Sequence, residues 1–246
     1  MTCALSRPDC PLALATPGPE PKPDRLLTFA GAARKLDDID LPRIAATIGC
    51  GEDHLHAVMD VETAGGGFDA SGRPRALFEP HVFWRELGPG PKRDRAAREG
   101  LAYAAWGTKP YPRDSYGRIA AAMQIDRKAA LRSTSWGLGQ IMGFNASLAG
   151  YDSAEAMVLD FLDDEDRHLE AMVRFIVASG LDDELRRKDW TGFARGYNGS
   201  GYARHGYHIR LSDRFAWWAK RPDTPFKIAR AEIDPNAPFA PQTAIA

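Results

Sequence analysis

Two acids flank a run of glycines in the stretch "VETAGGGFDASGRPRALFEPH", Val61 to His81. Leu55, Val58, Met59 and Glu62 follow i, i+3, i+4, i+7 spacing, so Glu62 projects from the apolar stripe of a helix near its C-terminal end. Burial disfavours the ionised carboxylate, and the carbonyl-rich end of a helix disfavours it further. Both effects raise the pKa, which suits a general acid working near neutral pH. The competing reading is a carboxylate at the margin of the stripe, paired with a nearby arginine. Glu79 is the second acid, behind the apolar triplet "ALF". Either the two carboxylates face each other across a cleft, or the stretch is an ordinary helix end running into a hairpin.

Two later segments carry groups suited to a polar ring. In "SWGLGQIMGFN", Ser135 to Asn145, Gly137 and Gly139 allow close backbone approach. Gln140 offers an amide among apolar neighbours, and Trp136 a flat face for a sugar ring. Equally, the segment is a tightly packed helix start with Trp136 in the core. In "GYNGSGYARHGY", residues 196–207, Tyr197 and Asn198 pair an aromatic with an amide, a combination suited to hydroxyl and N-acetyl groups. Asn198-Gly199 would serve as well as a plain turn or helix cap. His54 and His56 face different sides of a helix, and His205 and His208 lack a carboxylate or cysteine at metal spacing, so no metal is expected. No Gly-rich phosphate loop or GxSxG elbow occurs, and Ser133 and Ser135 have no obvious His/Asp partners. No cofactor is implied.

The elements that must position these groups are mainly helical. "DLPRIAATIG" has Pro42 near a helix start and Gly49 past its end. "RDRAAREGLAYAAWG" and "SYGRIAAAMQIDRKAALRS" read as two more helices. "DSAEAMVLDFLDDEDRHLEAMVRFIVASG" reads as the longest, with a capping box from Asp152 and Glu155, "DDED" on its solvated side, and Gly180 past its end. Short helices follow around "DWTGFARGYNG" and "GYHIRLSDRFAWWAK". The strand-like zone is 68–84, with a Ser-Gly turn between short runs. This predicts a mostly helical domain with a small hairpin inserted after the Glu62 helix. Residues 1–24 are a Pro-rich tail, 25–220 the body and 221–246 a second Pro-rich extension.

Composition narrows the classes. With 44% hydrophobic and 26% charged residues, the chain of 246 is globular. A net charge of -1 gives no general pull toward nucleic acid. No apolar run approaches the roughly 20 residues of a membrane span, and "PLALA" is too short for a signal-peptide core. Three cysteines, Cys3, Cys10 and Cys50, and no evident signal suggest a reduced place of synthesis in the cytoplasm.

Taken in order, "VETAGGGF", "GRPRALFEPHVF", "SWGLGQIMG" and "YNGSGYA" resemble the N-acetylmuramidase domain of phage endolysins, within the lysozyme-like superfamily that includes goose-type lysozymes and lytic transglycosylases. The likeness runs over about 36–215, departing in small ways, with Thr63 where the family has Ser and Pro80 where it has Arg. The resemblance implies a mainly α (α+β), lysozyme-like fold, with a helical lobe, a small β-hairpin lobe and a cleft between them. It implies cleavage of the β-1,4 bond between N-acetylmuramic acid and N-acetylglucosamine in peptidoglycan glycan strands, with Glu62 as the acid. Asp69 and Glu79 are the candidates for a second carboxylate. Alternation after "RALF" could aim Glu79 at the cleft; equally, it could pair with Arg73 or Arg75 and brace the hairpin. Ser135, Trp136, Gln140, Tyr197 and Asn198 are the expected substrate contacts, with Ser135 and Trp136 on the cleft floor. A lytic transglycosylase and a non-catalytic wall-binding module are the alternatives. A monomer acting in the periplasm or cell wall is expected, reached through a holin-type pore or another non-classical route.

Overall fold

The computed structural model describes residues 24–63 and 65–225; the Pro-rich N-terminal tail up to residue 23, Cys3, Cys10, and the C-terminal extension beyond residue 225 lie outside them. Among the described residues are ten α-helices and one three-stranded antiparallel sheet. The helices are α1 Asp40–Thr47, α2 Glu52–Glu62, α3 Pro80–Leu87, α4 Pro91–Arg98, α5 Tyr116–Arg132, α6 Ala154–Phe161, α7 Glu165–Ala178, α8 Asp182–Arg187, α9 Trp190–Asn198 and α10 Tyr207–Trp218. The strands are β1 Ala76–Phe78, β2 Thr134–Trp136 and β3 Ile141–Met142.

Helix α2 starts with Glu52 and Asp53 in its first turn, where the helix dipole favours acids. It buries Leu55, Ala57 and Val58 and ends on Glu62. Helix α10 packs along it and fixes its outer face. Asp60 of α2 accepts hydrogen bonds from the Arg214 guanidinium at 2.7 Å and the Trp218 indole N–H at 2.8 Å. The His56 ring stacks on Trp218 at 3.7 Å between centroids.

The sheet differs from the predicted hairpin over 68–84. Phe68 and Pro74 form only an isolated bridge around a turn at Asp69–Gly72. The strand β1 pairs instead with β2, Leu77 opposite Ser135, and β2 pairs with β3, Trp136 opposite Ile141. Residues 80–84 are helix because Pro80 occupies the first helical position, where its fixed φ favours helix entry and its missing N–H costs nothing. Likewise "SWGLGQIM" is a strand, a turn and a strand rather than a helix start. Gly137 turns the chain at φ 69° and Gln140 at φ 48°.

The longest predicted helix is two helices. The chain breaks at 162–164 because an N-terminal segment docks there: Ala33 and Arg34 N–H donate to the carbonyls of Leu162 and Asp163, and Glu165 N–H donates to Arg34. The acids of "DDED" are therefore not simply a solvated face. Asp163 takes two bonds from the Arg25 guanidinium at 2.9 and 2.6 Å, Asp164 pairs with Arg34 at 2.7 Å, and Glu165 is buried. Ser153, not an Asp152–Glu155 box, caps α6 by accepting from Ala156 N–H at 3.0 Å. Gly180 does follow α7 in a left-handed conformation, φ 67°, and Gly49 follows α1 likewise at 68°.

Candidate active site

Glu62 is the last residue of α2, and Thr63 leaves the helix in an extended conformation. Asn198, the last residue of α9, reaches it across 136 positions of sequence: its Nδ2 donates to Glu62 Oε2 at 2.9 Å. Glu62 Oε1 and Asn198 Oδ1 are buried and have no hydrogen-bond partner among the described residues. Burial pushes the Glu62 carboxyl above its ordinary range; the Asn198 amide and the positive charge of Arg210 oppose this and lose. One carboxyl oxygen is thus fixed by Asn198 and the other is without a partner among the described residues.

Glu62 lines a cavity of about 520 Å³ together with Gln140, Leu138, Asp69, Arg73 and Arg75. Gln140 is locked there. Its Nε2 donates to the Gly137 carbonyl at 2.8 Å, and its Oε1 accepts from Ser135 Oγ at 3.0 Å. Ser135 is only 6% exposed, so it orients Gln140 from behind rather than flooring the cleft. Trp136 is 0% exposed, which corrects the expectation of a sugar-stacking platform. It occupies the central strand, whose residues are all buried, stacks on Phe29 at 5.6 Å, and donates its indole N–H to the Leu131 carbonyl at 3.0 Å. Tyr197 stacks on Phe193 at 5.4 Å, with its hydroxyl donating to the Gly139 carbonyl at 3.5 Å. It joins α9 to the Gln140 turn, and burial and the Glu62 charge keep its phenol protonated.

Glu79 is not among the residues lining the cavity with Glu62. It sits at the start of α3, accepts a hydrogen bond from the Tyr111 hydroxyl at 2.5 Å, and lies 3.2 Å from His81 Nδ1. It pairs with neither Arg73 nor Arg75; it holds the segment after α4 instead. Asp69 does line the cavity, but both its oxygens are engaged: Oδ1 accepts from Ser71 and Arg73 N–H, and Oδ2 from Arg73 Nε at 2.9 Å. Arg73 also reaches Asp114 at 3.2 Å.

The sequence reading missed what grips the two loops of the site. One turn of α7 presents Glu165 and His168, both buried. Glu165 Oε1 accepts from Gly67 N–H, Oε2 from Leu36 N–H at 3.2 Å, and Lys35 lies 3.7 Å away. His168 Nδ1 accepts from Leu138 N–H at 3.3 Å while Nε2 faces the Phe161 carbonyl at 2.8 Å, which defines the neutral tautomer with the proton on Nε2. A Cβ on Gly67 would stand 2.2 Å from His168 Nδ1, and one on Gly137 2.9 Å from it, so glycine is required at both. Thus α7 ties the glycine segment at Gly67 to the turn carrying Gln140. The only local signal was Glu165 and His168 at i, i+3 on one helix face.

Burial pushes His168 down to about 4 from the ordinary 6.5. The folded state therefore binds this proton less readily than the unfolded chain. Stability from the neutral ring is full above 6.5 and is lost as pH falls toward about 4. Thermal melts of wild type and His168→Gln across that range are expected to show a steeper acid-side decline for wild type, worth on the order of 3 kcal/mol. Parallel declines would remove His168 from the explanation.

A helical body, a small sheet and a half-buried carboxyl bonded to an amide at a cavity wall fit a glycoside hydrolase of the lysozyme type. The family model of N-acetylmuramidases matches residues 52–219, and the chain belongs to that family. Among solved structures it is similar to the endolysin of Burkholderia AP3 phage, with 36% identity and a TM-score of 0.70 over 76% of this chain and 73% of that one. No curated protein matches it. The chain is a peptidoglycan-hydrolysing enzyme of the endolysin type. No helix among the described residues is long and apolar enough to cross a membrane.

Proposed function

We propose that Glu62 is the general acid that cleaves the β-1,4 bond between N-acetylmuramic acid and N-acetylglucosamine. The observation that carries this is the divided carboxyl: Oε2 held by Asn198, Oε1 buried and unpartnered among the described residues, the whole at the wall of the cavity. Protonated Glu62 donates to the glycosidic oxygen as the bond breaks through an oxocarbenium-like state. Gln140, held by Ser135, and Asn198 present amides to the N-acetyl groups and to the attacking water. Tyr197 positions Asn198 and the Gln140 turn from beneath. Asp69, paired with Arg73, shapes the cavity wall, and Glu79 is a brace for the wall. The enzyme works as a monomer on the wall after holin-type or other non-classical release.

A second reading is lytic transglycosylation, in which the muramic 6-hydroxyl replaces water. It is favoured by one observation: the other carboxylates at the cavity, Asp69 and Asp114, are both ion-paired to Arg73, leaving Glu62 as the one acid there with an unengaged buried oxygen. Mass analysis of muropeptides released from purified peptidoglycan decides between them. Reducing-end products carrying one added water are expected. Products one water lighter, with anhydromuramic ends, would replace hydrolysis by transglycosylation.

A further inference from the structure

We propose that Arg75 and Arg113 form a subsite for the carboxylate carried on the lactyl arm of muramic acid, whether free or within the attached peptide. The inference rests on the peptidoglycan reading and deepens it. Both side chains line the cavity that holds Glu62. The neighbouring Arg73 is neutralised by Asp69 and Asp114 and lies over the Tyr116 ring at 4.0 Å, so it is spent on structure. Arg75 and Arg113 are not. The guanidinium of Arg75 meets only the Phe68 carbonyl, through Nε at 3.4 Å, and neither arginine has a carboxylate within ion-pair distance among the described residues. Arg75 is half-buried and Arg113 is exposed at the cavity rim; the half-buried cation without a counter-charge costs free energy, and a ligand carboxylate would offset it.

The backbone that carries each arginine is also fixed. The Arg75 backbone is fixed from two sides: its N–H donates to the Gly67 carbonyl at 2.7 Å, and its carbonyl accepts from Gly137 N–H at 2.8 Å and Gln140 Nε2 at 3.4 Å. It is therefore in register with both loops that carry the proposed machinery. Arg113 projects from the segment between α4 and α5. That segment is pinned by Tyr111 to Glu79 and by Asp114 to Arg73 and to Tyr116 N–H. This explains why Glu79 is half-buried and hydrogen-bonded away from the cavity.

The chemistry of the substrate selects the ligand. The two sugars are neutral apart from the lactyl arm, which ends in a carboxylate when bare and in a carboxylate-bearing peptide when substituted. A planar guanidinium matches a carboxylate with two parallel hydrogen bonds. Two such groups in the lining of one cavity would distinguish muramic acid from N-acetylglucosamine without touching the scissile bond.

The test compares wild type with Arg75→Gln/Arg113→Gln and with Arg75→Lys/Arg113→Lys. Kinetics are read on soluble glycan strands bearing peptides and on strands stripped by an amidase, which leaves the lactyl carboxylate free. Binding of a neutral N-acetylglucosamine oligomer is measured in a Glu62→Gln background. The Gln pair is expected to raise KM about tenfold with a much smaller change in kcat, with partial recovery by the Lys pair and no change toward the neutral oligomer. Loss of the effect on stripped strands assigns the carboxylate to the peptide; its persistence assigns it to the lactyl group. An unchanged KM on both kinds of strand, or equal weakening toward the neutral oligomer, overturns the subsite. Failure of the Glu62 assignment is separate, because it would appear as activity retained by Glu62→Gln with both arginines intact.

Discussion

Glu62→Gln is expected to lower muropeptide release by about 10²–10⁴-fold, the usual contribution of a positioned acid, and to make the protein more stable at neutral pH. The two effects share one cause. Burial raises the carboxyl above its ordinary 4.5, because the ionised carboxylate is a desolvated charge in the folded state that the unfolded chain solvates freely. A glutamine of the same shape removes that charge and still accepts from Asn198. The sign follows from linkage: a group with a raised folded pKa contributes stability below its unfolded value and loses it as pH rises through the folded one. The stability advantage of the variant should therefore be absent below about 4.5 and grow as pH rises beyond it. Each kcal/mol moves the melting temperature of a domain this size by about 2–4 °C. Melts at acid and neutral pH, beside turbidity clearing of purified peptidoglycan, check both halves. Full lytic activity in the variant would falsify the assignment of the acid.

Glu165→Ala should produce the largest loss of stability together with a loss of activity, at a residue that touches no substrate. It removes the acceptor for Gly67 and Leu36 N–H and the partner of Lys35 in a site where the carboxylate is 4% exposed. Lys35 is largely exposed, so the loss comes from the two backbone N–H groups left without their acceptor, at about 1–3 kcal/mol each, which corresponds to roughly 10 °C in this size class. Glu165→Gln retains one acceptor and should lie between the two. Activity per folded molecule should also fall in Glu165→Ala, because Gly67, five residues after Glu62 in sequence, is tied to α7 by this carboxylate. Gly67→Ala is a companion case, since its Cβ would collide with His168, itself bonded at both ring nitrogens. A melting temperature of Glu165→Ala within about a degree of wild type would show that the clamp carries no weight.

Much of the site was legible because residue type and local spacing carry their own physics. The i, i+3, i+4, i+7 stripe put Glu62 on a buried face whatever packed against it. Gln140 and Asn198 stood out as amides beside glycines at element ends, and the structure brings Asn198 onto Glu62. Helix caps at Gly49 and Gly180 were equally local, because a left-handed residue ends a helix without reference to the rest of the chain. What failed did so where a reading needed a partner distant in sequence. Trp136 looked as suited to a sugar as to the core, and only the burial of both faces of β2 decided. The strand-like 68–84 zone suggested self-pairing, yet β1 bonds to a segment 58 residues away. "DDED" looked like a solvated face because nothing local announces that residues 25–36 return to cover it.

The sequence by itself determined the helical class, the acid on its stripe and the family, because these depend on periodicity and on residue types at short spacing. Only the tertiary structure decided which carboxylate shares the cavity, which serine stands behind Gln140, and that Glu165 and His168 hold the two loops together. These are outcomes of chain closure: burial and hydrogen-bond partnership are properties of pairs, and the pair joining Glu62 to Asn198 spans 136 residues.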